Sequence, residues 1–428
     1  MKYRELHINI RVRLVEAFLV NLVGNMIYPF MAIYFAEKLG AAITGYLMIL
    51  YILIGLGSGL YGGTLTDRYG RRRMLRWAET GRVLSLATMA FANSPWFDSP
   101  VVTLVSMLAL NGFGGLAFPA MQAMIVDCTT PENRKFVYSF DYWALNTSLL
   151  VGGMVGAFFF RDYLFELMSA AALVSFGSLM LLLFVIQETH HPAPSQGGQQ
   201  TSAPKSGSGY GKVFRDSTFM IYILACALLI SMENIFFNYS GIRLSNEFSH
   251  WTPFAWMNLN WHVDGVGMFG VLRTENALLV VLLSVVAVRV FSRFRDLGVL
   301  MTGILLTLAG FAILAVTNNP WLLVICMLVA TGGELLHTSI RQSYLAEMIP
   351  AANRGTYMAL TGLIGVTSQM IGAGSITIGA YVPSWTIGVV TVLIGVSCAA
   401  LFLVTIKRLP ERKRNMQAEA VGQEAASI

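Results

Sequence analysis

The sequence predicts an all-α membrane protein of twelve transmembrane helices in two pseudo-symmetric six-helix halves, and three observations predict it. Apolar runs of about 20 residues, each long enough to cross a bilayer, recur along the whole chain. Lys and Arg gather at alternate junctions between those runs. A polar segment near the middle divides the runs six and six, and one stretch of the first half returns in the second. Composition agrees: 55% hydrophobic and 12% charged residues, with a mean hydropathy of +0.62, lie far outside the soluble class. Runs this long lack the period-two alternation of membrane strands, so helices rather than a barrel follow.

The first half occupies residues 1–186, with spans at 12–36, 44–66, 74–94, 101–126, 137–160 and 164–186. Span one carries Arg13 and Glu16 near its start and Asn21, Asn25 and Tyr28 on one stripe. It lacks a short apolar core followed by a small-residue cleavage site, so it reads as a helix and not a signal peptide. Span three carries Glu79 and Arg82, three residues apart and hence on one face; an intrahelical pair is one reading of them. Span five carries Asp141-Tyr142-Trp143 and Asn146, then Gly152, Gly153 and Gly156, which suit close helix packing. Residues 187–212, rich in Pro, Gly, Ser and Gln, cannot build a core and place a linker at 187–215.

The second half occupies 216–410, with spans at 216–240, 274–292, 298–317, 321–345, 355–380 and 384–406, and a tail at 411–428. Span seven carries Glu233-Asn234, and span ten carries Glu334, His337 and Arg341 on one face. The junction Arg243–Arg273 is long and aromatic, with Trp251, Phe254, Trp256, Trp261 and Phe269. It reads as an interfacial aromatic belt or as a partial lid. Ionisable residues inside spans cost a few kcal/mol each, so each is a functional hypothesis. The asparagines double as interhelical glue, and His337 as a hydrogen-bonding residue of the packing.

With the N-terminus in the cytoplasm, Arg4, Arg11, Arg13, the Arg68–Arg76 cluster, Arg134, Lys135, Lys212, Arg215, Arg293, Arg295, Arg354 and the run Lys407–Arg414 all fall inside. Lys38, Arg161, Arg243 and Arg273 fall outside. That asymmetry places both termini in the cytoplasm, and the net charge of +6 is a topology signal rather than a nucleic-acid footprint. Cys128, Cys226, Cys326 and Cys398 show neither pairing nor metal-ligand spacing. No Walker loop, zinc motif or nucleophile elbow is present, so the chain is expected to be neither an ATPase nor an enzyme and to need no cofactor.

An internal echo supports two halves. MIVDCTTPENRKFVY after span four matches YLAEMIPAANRGTY after span ten: Asp127 with Glu347, Pro131 with Pro350, Asn133-Arg134 with Asn353-Arg354, Tyr138 with Tyr357. A repeat in one orientation implies an axis along the membrane normal and a midplane site between the halves.

Between spans two and three stands Gly63-x-Leu65-x-Asp67-Arg68-x-Gly70-Arg71-Arg72. The two glycines allow close backbone approach in a tight turn, and Asp67 is placed to meet a helix N-terminus. This pattern resembles the signature loop of the major facilitator superfamily of secondary transporters. MIVDCTTPENRKFVYSFDYWALN, AAITGYL and FFRDYLFEL look like the multidrug–proton antiporters of that superfamily. The resemblance implies gating by Gly63, Asp67, Arg68, Gly70, Arg71, Arg72, Asp127, Arg134 and Arg354, with Arg71 reaching Asp127. It implies proton coupling through Asp141, Glu334 and Glu233, which stands where the relatives have an aspartate. Substrate contact is expected from Asp141, Tyr142, Trp143, Asn21, Asn25, Glu233, Asn234, Glu334 and His337. The chain departs from those relatives in Glu16, Glu79–Arg82 and Arg341, and Leu108 and Asn111 stand where many drug–proton antiporters have an arginine in helix four.

The expected function is proton-coupled export of lipophilic, cationic or amphiphilic compounds across a cytoplasmic membrane, by a monomer whose partners are protons, small substrates and lipid. A dedicated exporter of one metabolite, peptide, sugar or lipid competes with it on the same fold. A non-transporting membrane scaffold or sensor is the rival of another class.

Overall fold

A computed structural model describes residues 8–129, 131–186, 213–249, 251–253, 262–291, 296–349 and 354–426. The linker 187–212 and the aromatic stretch 254–261, with Phe254, Trp256 and Trp261, lie outside them. Twelve long helices make up the described chain. The first six are α1 (Ile8–Leu39), α2 (Ala41–Tyr69), α3 (Arg71–Phe91), α4 (Pro100–Asp127), α5 (Pro131–Phe159) and α6 (Leu164–Phe184). A two-residue hairpin, β1 (Asn93–Ser94) with β2 (Phe97–Asp98), joins α3 to α4. Then come α7 (Ser217–Glu247), α8 (Gly265–Phe291), α9 (Asp296–Leu314), α10 (Pro320–Met348), α11 (Arg354–Gly379) and α12 (Ser384–Ala426). Nine of the twelve are long and apolar enough to cross a membrane over their described residues. The exceptions, α3, α5 and α11, each begin in a charged or polar first turn.

Helix ends are set by capping chemistry. Ser99, Asp216 and Asn319 sit at the starts of α4, α7 and α10, and each side chain accepts a hydrogen bond from a first-turn N–H. Pro100 and Pro320 then occupy the first helical position, where no N–H is needed. α7 contains a π turn at Phe236–Ser240. The Asn238 amide donates to the Asn234 carbonyl there, 2.8 Å away, so the widened turn leaves that oxygen satisfied.

The chain forms two compact units. The first comprises residues 1–194 together with 241–278, and the second 195–240 together with 279–428. The end of α7 and the first half of α8 thus group with the first six helices. In the first unit α1 lies against α5, and α3 against α4 and α6. Val12, Met74, Leu75, Ala78, Met124 and Leu182 form its core at the starts of α1 and α3. In the second, α9 packs on α10, and α7 on α11 and α12.

Three expectations need correction. The junction 243–273 is helical at both ends, because α7 runs on to Glu247 and α8 begins at Gly265. Of its aromatics, Phe269 is fully buried edge-on to Phe30 and so is no interfacial anchor, while Trp251 pairs backbone to backbone with Val263. The expected tail from 411 is a continuation of α12, through Pro410, to Ala426.

The α1–α5 contact rests on small residues. A Cβ on Gly156 would lie 2.4 Å from the Met26 carbonyl oxygen, and one on Gly152 2.7 Å from that of Leu22. Gly153 faces only the Arg273 side chain at 3.9 Å. Gly156→Leu should destabilise the folded protein by about 1–3 kcal/mol through overpacking, read as a lower melting temperature in detergent. Gly153→Ala should leave that temperature unchanged.

Candidate functional site

The α2–α3 junction turns at Gly70, whose φ of +88° is a conformation open to glycine. Its N–H closes α2 on the Thr66 carbonyl. Gly63 meets nothing within 4 Å of where a Cβ would stand, whereas Gly62 lies 2.8 Å from the Leu116 carbonyl oxygen of α4 by the same measure. Close approach at this loop is therefore the work of Gly62, not Gly63. Arg71 Nε forms an ion pair with Asp127 Oδ2 at 2.7 Å, joining the start of α3 to the end of α4. Arg72 Nη2 donates to the Leu183 carbonyl at the end of α6, 3.1 Å away. Arg68 and Arg73 lie over the rings of Tyr69 and Trp77. The side chains of Asp67, Arg134 and Arg354 are outside the described set, as are Pro350 and Asn353.

Of the residues expected to meet substrate, Asp141 is half-buried on α5 and makes no hydrogen bond or ion pair among the described residues. It lies ten residues past Pro131, about 15 Å along the helix. Trp143 is exposed and packs on Phe140; the Tyr142 side chain is not described. Asn25 donates to the Asn21 carbonyl and accepts from Arg273 Nη2 at 3.4 Å, so α1 and α8 meet at this stripe within the first unit. In the second unit Glu233 and Glu334 are half-buried. The Asn234 backbone lies against Gly372 of α11. His337 is 5% exposed, its backbone against Gly303 of α9, and its Nδ1 finds no partner. Arg341 points back to α7, reaching the Cys226 thiol, while its carbonyl accepts from the Tyr222 hydroxyl.

The charges that the sequence leaves unexplained are paired. Glu79 accepts from Arg82 at 2.8 Å, and Glu16 pairs with Arg13 one turn away. The four cations of the sparsely charged side all have partners in the first unit. Lys38 meets Asp98 at 2.8 Å, Arg161 meets Asp264 at 2.5 Å, Arg243 meets Glu247 at 3.4 Å, and Arg273 meets Asn25. Lys38, Asp98 and Arg161 also line a cavity of about 480 Å³ with Tyr34, Glu37 and Glu166. None of the expected substrate residues lines it.

Sequence reasoning missed two features. Glu275 sits inside α8, and its Oε2 is buried without a donor among the described residues; it stands at the second position of the span expected at 274–292. The other is a four-way junction around Asp216, the cap of α7. Asp216 accepts from Arg412 Nη1 at 2.5 Å, from the Tyr357 hydroxyl at 2.7 Å and from the Phe219 N–H at 3.1 Å. Arg412 also donates to the Met348 carbonyl at the end of α10. Asp216 and Arg412 are 196 positions apart, so no local spacing signals the pair. Burial works to raise the Asp216 carboxyl, but the Arg412, Tyr357 and backbone hydrogen bonds outweigh it and hold the group below its ordinary value of 3.8.

The family model for the Major Facilitator Superfamily matches residues 15–271 and 246–426. A Na(+), Li(+), K(+)/H(+) antiporter of Planococcus maritimus is 31% identical over 392 residues, spanning 89% of this chain and 92% of that protein. The multidrug resistance protein MdtH of Yersinia enterocolitica is 26% identical over 371 residues, spanning 83% and 84%. Among solved structures, the peptide transporter POT in complex with sulfate aligns with a TM-score of 0.70 at 16% identity over 95% of both chains. The nucleoside transporter NupG aligns with a TM-score of 0.68 at 15% identity, over 93% of this chain and 99% of that one. At such identities these two share the fold alone.

Because the folded value of Asp216 is depressed, its contribution to stability is present above the ordinary carboxyl value and is lost as pH falls through the folded value. Asp216→Asn should lower the melting temperature at neutral pH, by the equivalent of about 1–3 kcal/mol for a lost charged hydrogen bond. It should also flatten the decline of the melting temperature below the ordinary value of 3.8. Thermal melting of both proteins across that range checks it.

Proposed function

The chain belongs to the major facilitator superfamily, a multi-pass membrane transporter and not an enzyme, and on that premise we propose that it is a proton-coupled antiporter. It exports lipophilic, cationic or amphiphilic compounds from the cytoplasm by alternating access. Charge asymmetry supports a cytoplasmic placement in a cell membrane for both termini, the Arg71–Asp127 pair and the Asp216 junction.

Asp141 carries this reading. An acid about 15 Å inside a helix, half-buried and without a partner among the described residues, is free to hold either a proton or a cation. A proton and an arriving cation each neutralise the same carboxylate, so binding of one disfavours the other. Proton and cargo then oppose one another at one carboxylate, the least that exchange requires. Glu233 and Glu334 play the corresponding part in the second unit. For a neutral cargo one proton is adequate, since a charge moving through about 150 mV yields ~3.5 kcal/mol, enough for a gradient of roughly 300-fold; one proton exchanged for one monovalent cation moves no net charge, and the pH difference alone drives it. Gly63, Asp67, Arg68, Gly70, Arg71, Arg72, Asp127, Arg134 and Arg354 form the cytoplasmic gate, and the protein works as a monomer.

A second reading narrows the cargo to alkali cations, favoured by the antiporter of Planococcus maritimus, whose name carries Na(+), Li(+) and K(+). Proteoliposomes with an imposed pH difference separate the two when offered Na+, Li+, K+, ethidium, a neutral dye and an anionic dye in turn. Export of ethidium supports multidrug antiport; exchange of alkali cations alone supports the second reading. Asp141→Asn should reduce proton-driven export of a monovalent cation to background while leaving the melting temperature near wild type. Full-rate pumping by that variant under a pH difference alone would refute the assignment. Glu334→Gln should weaken coupling without abolishing it, measured as a smaller accumulation ratio.

A further inference from the structure

Two acids of the first unit have no part in the mechanism above. Glu16 on α1 and Glu79 on α3 are both fully buried, at 0% exposure. Each lies eight residues past the start of its helix, Ile8 and Arg71, so each sits ~12 Å in at 1.5 Å per residue. Both helices start at the same core cluster, where Val12 meets Met74, Leu75 and Ala78. The two acids are thus at matching depth.

Each acid has its own arginine, Arg13 for Glu16 and Arg82 for Glu79. The pairs are not isolated from one another. The charges of Glu16 and Arg13 act on Glu79 along with that of Arg82, and Arg82 in turn feels Glu16. In each carboxylate one oxygen faces the arginine. The other, Glu16 Oε1 and Glu79 Oε2, is shut off from solvent and has no donor among the described residues.

An ionised carboxylate offers about four lone-pair sites, and an undonated oxygen in a dry interior is unfavourable. A pair kept only to neutralise its charges within one helix gains nothing from leaving it so. An oxygen without accessible surface has no room for a drug or a hydrated metal ion. A proton needs none. The α4 side of the site is closed, since the Phe113 ring lies 2.5 Å from where a Cβ on Gly81 would stand. Towards α1 and α2, the partly exposed Tyr28 and Tyr51, with ring centroids 6.2 Å apart, lie within the field of Arg82. Their hydroxyls can both donate and accept.

We propose that Glu16, Arg13, Glu79 and Arg82 form a proton-binding centre of the first unit, additional to Asp141 and resting on the proton-coupled reading above. With both carboxylates ionised the four charges cancel. One proton on the undonated oxygen of Glu79 or Glu16 leaves the cluster with a single positive charge. That charge opposes a second proton, so the centre holds one. It also opposes a cation bound elsewhere in the same unit, and by reciprocity a bound cation favours the proton's release. Among the described residues, Tyr28 from α1 and Tyr51 from α2 face Arg82, together with the four members themselves.

The test uses the full chain in proteoliposomes and compares wild type, Glu79→Gln, and Glu79→Gln combined with Arg82→Gln. The double variant removes both charges and leaves no buried arginine unpaired, so it decides the matter if the single variant does not fold. Two readings are taken with Na+ and ethidium as probes. One is the protonated-carboxyl band in the infrared difference between acid and alkaline pH. The other is the ratio of exchange with and without an imposed pH difference. A proton centre requires the double variant to lose part of the band and its ratio to fall by about tenfold, within the usual range of coupling between sites. A band and a ratio both equal to wild type overturn the proposal. Wild type that exchanges neither probe overturns the transport reading instead, and the loss or persistence of the band still decides the cluster.

Discussion

Taking a polar group out of water without a partner costs several kcal/mol, and the chain is arranged around that cost. Helices satisfy the backbone internally. Hydroxyls inside them turn back on the preceding turn, as Thr66 does to Gly62, Ser85 to Gly81 and Thr391 to Ile387. Helix starts that face the same penalty are closed by Ser99, Asp216 and Asn319. Even the π turn of α7 is compensated, by an asparagine placed to reach the carbonyl that the turn exposes.

The same cost sorts the charges into kinds. Several reach across to another element: Lys38 to the β2 aspartate, Arg161 to Asp264, Arg71 to Asp127, Arg412 to Asp216. Those deep in the first unit pair along their own helix, and each leaves one oxygen unserved. Among the described residues Asp141 belongs to neither kind. A polar group without a partner there is one with free energy to give to a ligand, which is why this acid and the half-served pairs carry the functional argument.

Much of the fold was legible because hydrophobic length and basic junctions are local quantities. The twelve helices begin and end within a few residues of the apolar runs almost everywhere. The failures share a cause. α8 starts nine residues before its expected position, since Gly265–Arg273 is helical but not uniformly apolar. α12 continues past Pro410 because a charged helix outside the apolar run leaves no hydropathy signal. Within the loop signature, glycine identity was readable but its use was not: Gly62 and Gly63 are adjacent, and only the position of α4 tells which of them it touches.

The sequence by itself determined the class of protein, the number of helices, the glycine turn at Gly70 and the intrahelical spacing of Glu79 with Arg82, since each follows from composition or from separations of a few residues. Tertiary structure decided the rest. It joined Asp216 to Arg412 and Tyr357, set Asn25 against Arg273, and turned Arg341 away towards α7. It also carried residues 241–278 into the first unit. Such contacts join residues tens to hundreds of positions apart, and they depend on which helix faces press together. Hydropathy fixes how long a membrane helix is, but its rotation and its neighbours are chosen by packing.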